Sequence, residues 1–395
     1  MSLKINTNLK NQLTANFIPR KTALSTAVAI ALFAGSSHAA TMPELQSEIN
    51  TLQSQMNALA DKMETQTRVS SESSAHSQVA SKTHIGGYGE LHYNNIEGKT
   101  PEVDFHRFVL FFGHDFNEKI RFFSEFELEH SIAGDGQNGE VELEQAYIEM
   151  DLTKQLKTRV GMTLVPVGIL NETHEPNTFY GTERNPVEKE IIPATWWSAG
   201  ASLNGITNSG LSYDLVVSEG LNTPDGFNIR KGRQKSSKAI ASDLAYTGRL
   251  KYTGIPGLEL AATARHESNI SQSQLTDAGA ATLLETHIIY SKENFTAKAL
   301  YAQWDIEGNA AKSNNADKQY GYYLEPSYKI SENWGVFARY NEWNTTTIDA
   351  NKNTQTDFGV NYWPHKQVVF KADYQLKKVG STEQNGINLG VGYSF

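Results

Sequence analysis

The chain has 395 residues, no cysteine, 20% charged residues and a formal net charge of −9. Without cysteine it holds no disulfide scaffold, thiolate zinc site or cysteine nucleophile, and its acidic balance speaks against coating nucleic acid, which calls for a basic face. No uninterrupted apolar stretch reaches the roughly 18 residues of a spanning helix, which excludes a polytopic helical membrane protein.

Lys4, Lys10, Arg20 and Lys21 form a basic leader with no acidic residue before Glu44. A short apolar run from Ala23 to Ala34 follows, then Gly35-Ser36-Ser37-His38-Ala39. That order predicts a secretory signal peptide over 1–39, cut after Ala39 or Ala40. The chain is expected to be exported.

Met42, Leu45, Ile49, Leu52, Met56, Leu59 and Met63 then recur at alternating spacings of three and four, among polar residues. So narrow a stripe predicts a coiled-coil helix over 40–66 that pairs with copies of itself. An amphipathic helix lying on its own domain is the alternative. Residues 67–82 are Ser-rich without a period and read as a flexible linker.

From 83 to 395 the helical period gives way to period 2. Ile387, Leu389, Val391, Tyr393 and Phe395 alternate with Asn388, Gly390, Gly392 and Ser394. Val368, Phe370, Ala372, Tyr374 and Leu376 alternate with Lys371, Asp373 and Gln375 in the same way. Such alternation predicts antiparallel strands with one apolar face. Sixteen segments fit, starting near His84, Val103, Glu118, Glu140, Leu156, Thr195, Gly210, Asp243, Gly257, Ala281, Glu293, Lys318, Asn333, Thr354, Lys366 and Asn385.

Odd segments lead into long polar connectors at 131–139, 164–194, 220–242, 268–280, 305–317, 344–353 and 378–384. Even segments lead into tight links such as 115–117, 254–256, 291–292 and 364–365. A secreted β-sandwich or β-helix has no reason to sort its loops by length, whereas a transmembrane β-barrel does. The expected fold is therefore all-β: an antiparallel barrel of about 16 strands, with its apolar phase toward lipid and its charged or small phase toward water. Tyr393 and Phe395 close the chain like the sorting signal that the barrel-assembly machinery reads.

DFHRFVLFFGHDFNEKIRFFSEFELEH at 104–130, VELEQAYIEMDL at 141–152 and GMTLVPVGILNETHEPNTFYGTERNPVEKEIIPATWWSAG at 161–200 resemble the family of phosphate-selective porins O and P. A coiled coil ahead of the barrel is similar to the layout of its dicarboxylate-type members. The resemblance implies a homotrimer in the outer membrane of a Gram-negative bacterium and a preference for small anions such as dicarboxylates or phosphate. Phosphate-specific members carry a dense arginine ladder, where this chain has scattered basic residues.

The connector 164–194 holds Pro166, Pro176, Pro186 and Pro193 with Asn171, Glu172, His174, Glu175, Glu183, Arg184, Glu188 and Lys189. Following the fifth strand, it is the third extracellular loop and is expected to fold inward and narrow the lumen; lying over the mouth or gripping a neighbour is the alternative. Glu125, Glu127 and Glu129 beside Glu142 and Glu144 predict an acidic wall, and Arg249, Lys251, Arg265, Arg339 and Lys371 a basic wall across the lumen. Both signs are thus available to the narrowest point. The phase of 103–114 is ambiguous and leaves His106 and Arg107 unassigned, and His84 and His92 are placed to meet His106 and His114. No cofactor or metal is expected.

The functional expectation is a passive channel for small hydrophilic solutes. The rivals are a plugged barrel that tethers the periplasmic helix and, furthest back, a barrel hydrolase built on lumen carboxylates. No H-E-x-x-H, P-loop or G-x-S-x-G motif supports an enzyme.

Overall fold

The computed structural model describes residues 82–223 and 226–395. The leader, the heptad segment and the linker up to residue 81 lie outside the described residues.

Sixteen antiparallel strands form a sheet that closes on itself. They are β1 (Thr83–Ile96), β2 (Glu102–Asp115), β3 (Ile120–Glu129), β4 (Val141–Asp151), β5 (Leu156–Leu164), β6 (Trp197–Ile206), β7 (Leu211–Glu219) and β8 (Leu244–Ile255). The second half comprises β9 (Leu258–Glu267), β10 (Ala281–Lys292), β11 (Phe295–Ile306), β12 (Lys318–Lys329), β13 (Trp334–Asn344), β14 (Asn353–His365), β15 (Val368–Val379) and β16 (Gly386–Ser394). Every expected start falls within two residues of an observed one. Each strand pairs with its chain neighbours, and β1 closes the circle on β16, from Tyr88 opposite Ser394 to Ile96 opposite Gly386. Phe395 extends that seam: its amide donates to Gly87 O at 2.9 Å, and its carbonyl accepts from Gly87 N at 3.0 Å. Closure leaves no sheet edge, as a strand structure in lipid requires.

Connectors at one end have two to four residues, and every longer one lies at the other end. Pro256-Gly257 illustrates the tight end. Gly257 sits at φ 78°, and a Cβ there would meet Ser291 O at 2.1 Å, so only glycine fits this turn.

The outward phase is as expected: Leu215, Leu250, Leu284, Leu324, Phe358, Phe370 and Ile387 all face outward and are exposed. The inward phase corrects the expectation of a face suited only to water. On β10–β13 it carries Leu283, Leu300, Ala302, Trp304, Tyr323 and Trp343, all buried. Val187, Ile191, Ile192 and Trp196 from 165–196 pack against them, with Leu221, Phe227, Ile229 and Ile270 from the next two long loops. A hydrophobic core therefore fills that side of the barrel interior. The physical reason is that an inward-folded loop brings its own apolar side chains, and these gain stability only against an apolar wall.

Between Glu90 and His92 of β1 the register shifts so that β2 carries one extra residue, a bulge between Asp104 and Arg107. It turns His106 and Arg107 toward the same inner face, settling the ambiguous phase of β2. His92 and His106 meet as the spacing suggested, stacked with ring centroids 4.7 Å apart. His84 instead contacts Asp115 at 3.0 Å, and His114 contacts Thr83.

Candidate functional site in the barrel interior

The loop 165–196 is pinned at its neck by one amide. Asn171 Nδ2 donates to Val165 O at 2.8 Å and Trp196 O at 2.9 Å, while its Oδ1 accepts from Trp196 N at 2.7 Å. From there the loop crosses the interior to the tight-turn end, where Asn177 Nδ2 donates to Ser394 Oγ at 3.3 Å. It returns along the wall: Arg339 donates to Tyr180 O at 3.3 Å, Lys371 Nζ to Gly181 O at 2.8 Å, and Thr182 N to Asp373 at 2.7 Å. Glu188 locks the last stretch, accepting from Ile169 N at 2.8 Å, Leu170 N at 2.6 Å and the Tyr323 hydroxyl at 2.7 Å. A buried carboxylate so fully hydrogen-bonded fixes one backbone path, because any other leaves polar groups unpaired.

The residues expected to form the two walls face the interior, the basic ones on either side of the apolar β10–β12 stretch, and most receive counter-charge locally. Arg249 pairs with Asp214 at 2.7 Å and with Glu172 of the loop. Arg265 pairs with Glu267 at 2.7 Å, and Arg339 with Asp357 and Glu325, each at 3.0 Å. Lys251 lies 3.9 Å from Glu259, and Lys371 is buried over the Phe179 ring at 3.7 Å. Across the lumen Arg107 lies between Glu90, at 2.7 Å, and Glu127, at 3.6 Å, while Glu142 meets Lys235. Desolvation explains this: a charge this buried costs several kcal/mol unless paired.

His174 of the loop sits between Glu125, at 3.4 Å, and Glu144, at 3.6 Å, with its ring edge-on to Tyr88. Burial disfavours its charge, but the two carboxylates outweigh that and push its pKa up to about 10. Glu183 is likewise held below the usual carboxylate range, where His92 at 3.0 Å outweighs burial.

Two cavities lie on the β1–β4 side, and another of about 500 Å³, lined by Tyr180, Lys329 and Trp363 among others, lies at the tight-turn end near β12–β14. One cavity of about 110 Å³ faces the long loops and includes Glu90, Arg107, Glu129, Glu142, Glu144, Glu183, Arg184 and Lys189 in its lining. A second, of about 480 Å³, lies at the tight-turn end, lined by Phe111, Phe123, Tyr147 and Arg159 among others. On β1–β3, Tyr88, Val109 and Glu125 fall between the two linings, all buried. The His174 ring stands beside Tyr88 and Glu125 there.

The first cavity also holds residues the sequence analysis missed: Arg230, Arg233 and Lys235. They sit in the aperiodic connector 220–243, so no phase assigned them; the charge run Arg230-Lys231-Gly232-Arg233-Gln234-Lys235 was the available signal. Arg230 donates to Ala194 O at 2.8 Å, and Arg233 to Thr195 O. Arg184 donates to Thr195 Oγ1 at 2.7 Å, while its Nε and Nη2 are buried without a hydrogen-bond partner. None of these three arginines has a carboxylate partner among the described residues. Burial pushes all three guanidinium pKa values down, Arg230 to about 10. Neighbouring cations add to it, Arg233 acting on Arg230 and Arg107 on Arg184.

The family described as phosphate-selective porin O and P matches residues 79–388. An uncharacterized protein of Aquifex aeolicus is 30% identical over 355 residues, covering 78% of this chain and 79% of that one. Among solved structures, the anion-selective porin from Comamonas acidovorans aligns with a TM-score of 0.57 at 13% identity, covering 79% of this chain and 99% of that one. The outer membrane channel DcaP of Acinetobacter baumannii has the same score and identity, covering 81% and 99%. A chain with this barrel, this inward loop and this family match is an outer-membrane channel protein, and it belongs to the family of phosphate-selective porins O and P.

Proposed function

We propose that this channel passes small anionic solutes along the β1–β4 side of its lumen, with Arg184, Arg230 and Arg233 as the groups that bind them. The observation carrying this reading is the convergence of three guanidiniums on one cavity without a carboxylate partner. A planar guanidinium fork suits carboxylate and phosphate oxygens, and confinement away from bulk water strengthens the attraction. Loop 164–194 acts as the constriction, and the layer of Tyr88, Glu125, Glu144 and His174 is its narrowest point. Glu172, Glu183 and Lys189 help to hold or line it, while the paired residues of the two walls keep the loop in place.

The remaining parts serve delivery and assembly. Residues 1–39 direct export, and Tyr393 with Phe395 present the chain to the barrel-assembly machinery. Leu45, Ile49, Leu52, Met56 and Leu59 join three copies through a periplasmic coiled coil, with 67–82 as linker, making a homotrimer without catalytic activity.

Current block tests the anion reading. Succinate added at millimolar concentration should reduce the chloride current of the wild-type channel. It should reduce that of an Arg230→Gln/Arg233→Gln variant much less. Equal block in both would remove these arginines from solute binding. Folded protein that carries no current would favour the plugged tether.

A further inference from the structure

We infer that Asp104, His106 and His130 form a binding site for a divalent transition-metal ion at the long-loop mouth of the barrel. Asp104 and His106 are two residues apart on β2 and so project to one side of the strand. His130, just past β3, lies across from His106 and donates its backbone N–H to His106 O at 3.2 Å. Both imidazoles aim Nδ1 at the Asp104 carboxylate, at 3.2 Å from His106 and 2.9 Å from His130. One ligand atom from each residue lies within 4.8 Å of the other two. An ion bonded at about 2.0–2.2 Å to two nitrogens and one oxygen fits with small side-chain shifts.

Two features hold the ligands ready. The His106 ring is stacked on His92, which fixes its plane. His130 keeps a left-handed backbone, φ 52°, which non-glycine residues adopt only at a cost, and from there its ring reaches Asp104. No lysine or arginine pairs with Asp104 among the described residues, so the carboxylate has only the two imidazoles as partners. The ring of His130 is 38% exposed, which gives an ion a route in. Two imidazoles and one carboxylate suit zinc, copper or nickel rather than magnesium or calcium, and three protein ligands leave positions for water or a solute. His106 also lines the cavity described above, so a bound dication would sit at its rim.

Zinc titration of the folded, detergent-solubilised protein, followed by calorimetry, tests the site. His130→Ala and Asp104→Asn each alter one ligand, and retained heat-resistant mobility on gels reports that each variant is folded. The expected result is the loss of one zinc equivalent per chain in both variants, with excess magnesium failing to compete in the wild type. A zinc stoichiometry and affinity unchanged in both folded variants would overturn the assignment, as would displacement of zinc by magnesium.

Discussion

Two sides of one barrel interior are built on opposite principles. Along β10–β13 the inner face is apolar, and loop 165–196 is held there by Trp304, Leu283, Leu300 and Tyr323 packed on Val187, Ile191 and Ile192. Along β1–β4 the inner face is charged, with Glu90, Arg107, Glu125 and Glu127, and the loop's His174 and Glu183 meet Glu125 and His92 there. The second side retains two cavities, and a third of about 500 Å³ lies at the tight-turn end beside Tyr180, Lys329 and Trp363. Hydrophobic packing is close and directionless, so it fills a wall. Hydrogen-bonded charges need fixed geometry, and gaps remain where solvent or solute completes it. The barrel thus packs the loop against one apolar wall and keeps a charge-lined cavity at the other.

The largest effect should come from breaking the apolar wall. Trp304→Ala removes a buried indole whose Nε1 donates to Ile191 O at 3.0 Å. It should cost about 3–5 kcal/mol, read as a lowered unfolding temperature and new protease cleavage within 165–196. Glu188→Ala should be comparable, because the donors of Ile169, Leu170 and Tyr323 lose their acceptor at roughly 1–3 kcal/mol for each group left unsatisfied. Single-channel traces would show it as added flicker. Changes on the charged side should alter selectivity more than stability. Arg184→Gln should move the reversal potential in a potassium chloride gradient toward the cation limit without lowering the unfolding temperature comparably.

The charged side also predicts a pH dependence. The His174 pKa is raised from 6.5 to about 10, so its ion pairs contribute fully below about pH 6.5 and fade as pH rises toward 10. Comparing wild type with His174→Gln between pH 6 and 10 checks this. The stability difference should be largest at pH 6 and shrink with rising pH; a difference that grows would reverse the sign.

Strand positions were legible because lipid demands an apolar residue at every second place, as in Leu244, Tyr246, Leu250 and Tyr252. The inward course of the third loop was legible from its length, prolines and rank in the chain. The apolar wall was not read, although β11 signals it: Leu300 and Trp304 occupy the inner phase while Tyr301 occupies the outer one. Pairing escaped the sequence for a different reason. Arg249 finds Glu172 and Lys235 finds Glu142 across many residues, and no local period encodes contacts made by a loop crossing a barrel. The same holds for Arg184, Arg230 and Arg233, which two loops bring together.

The reversal potential of the wild-type protein in a planar bilayer, across a potassium chloride gradient, tests the central claim most directly. Unpaired guanidiniums in the cavity predict a potential on the anion-selective side, diminished when Arg184, Arg230 and Arg233 are all replaced by glutamine. A cation-selective potential that the triple replacement leaves unmoved would contradict the account, and would give control of the channel to Glu125, Glu129 and Glu142.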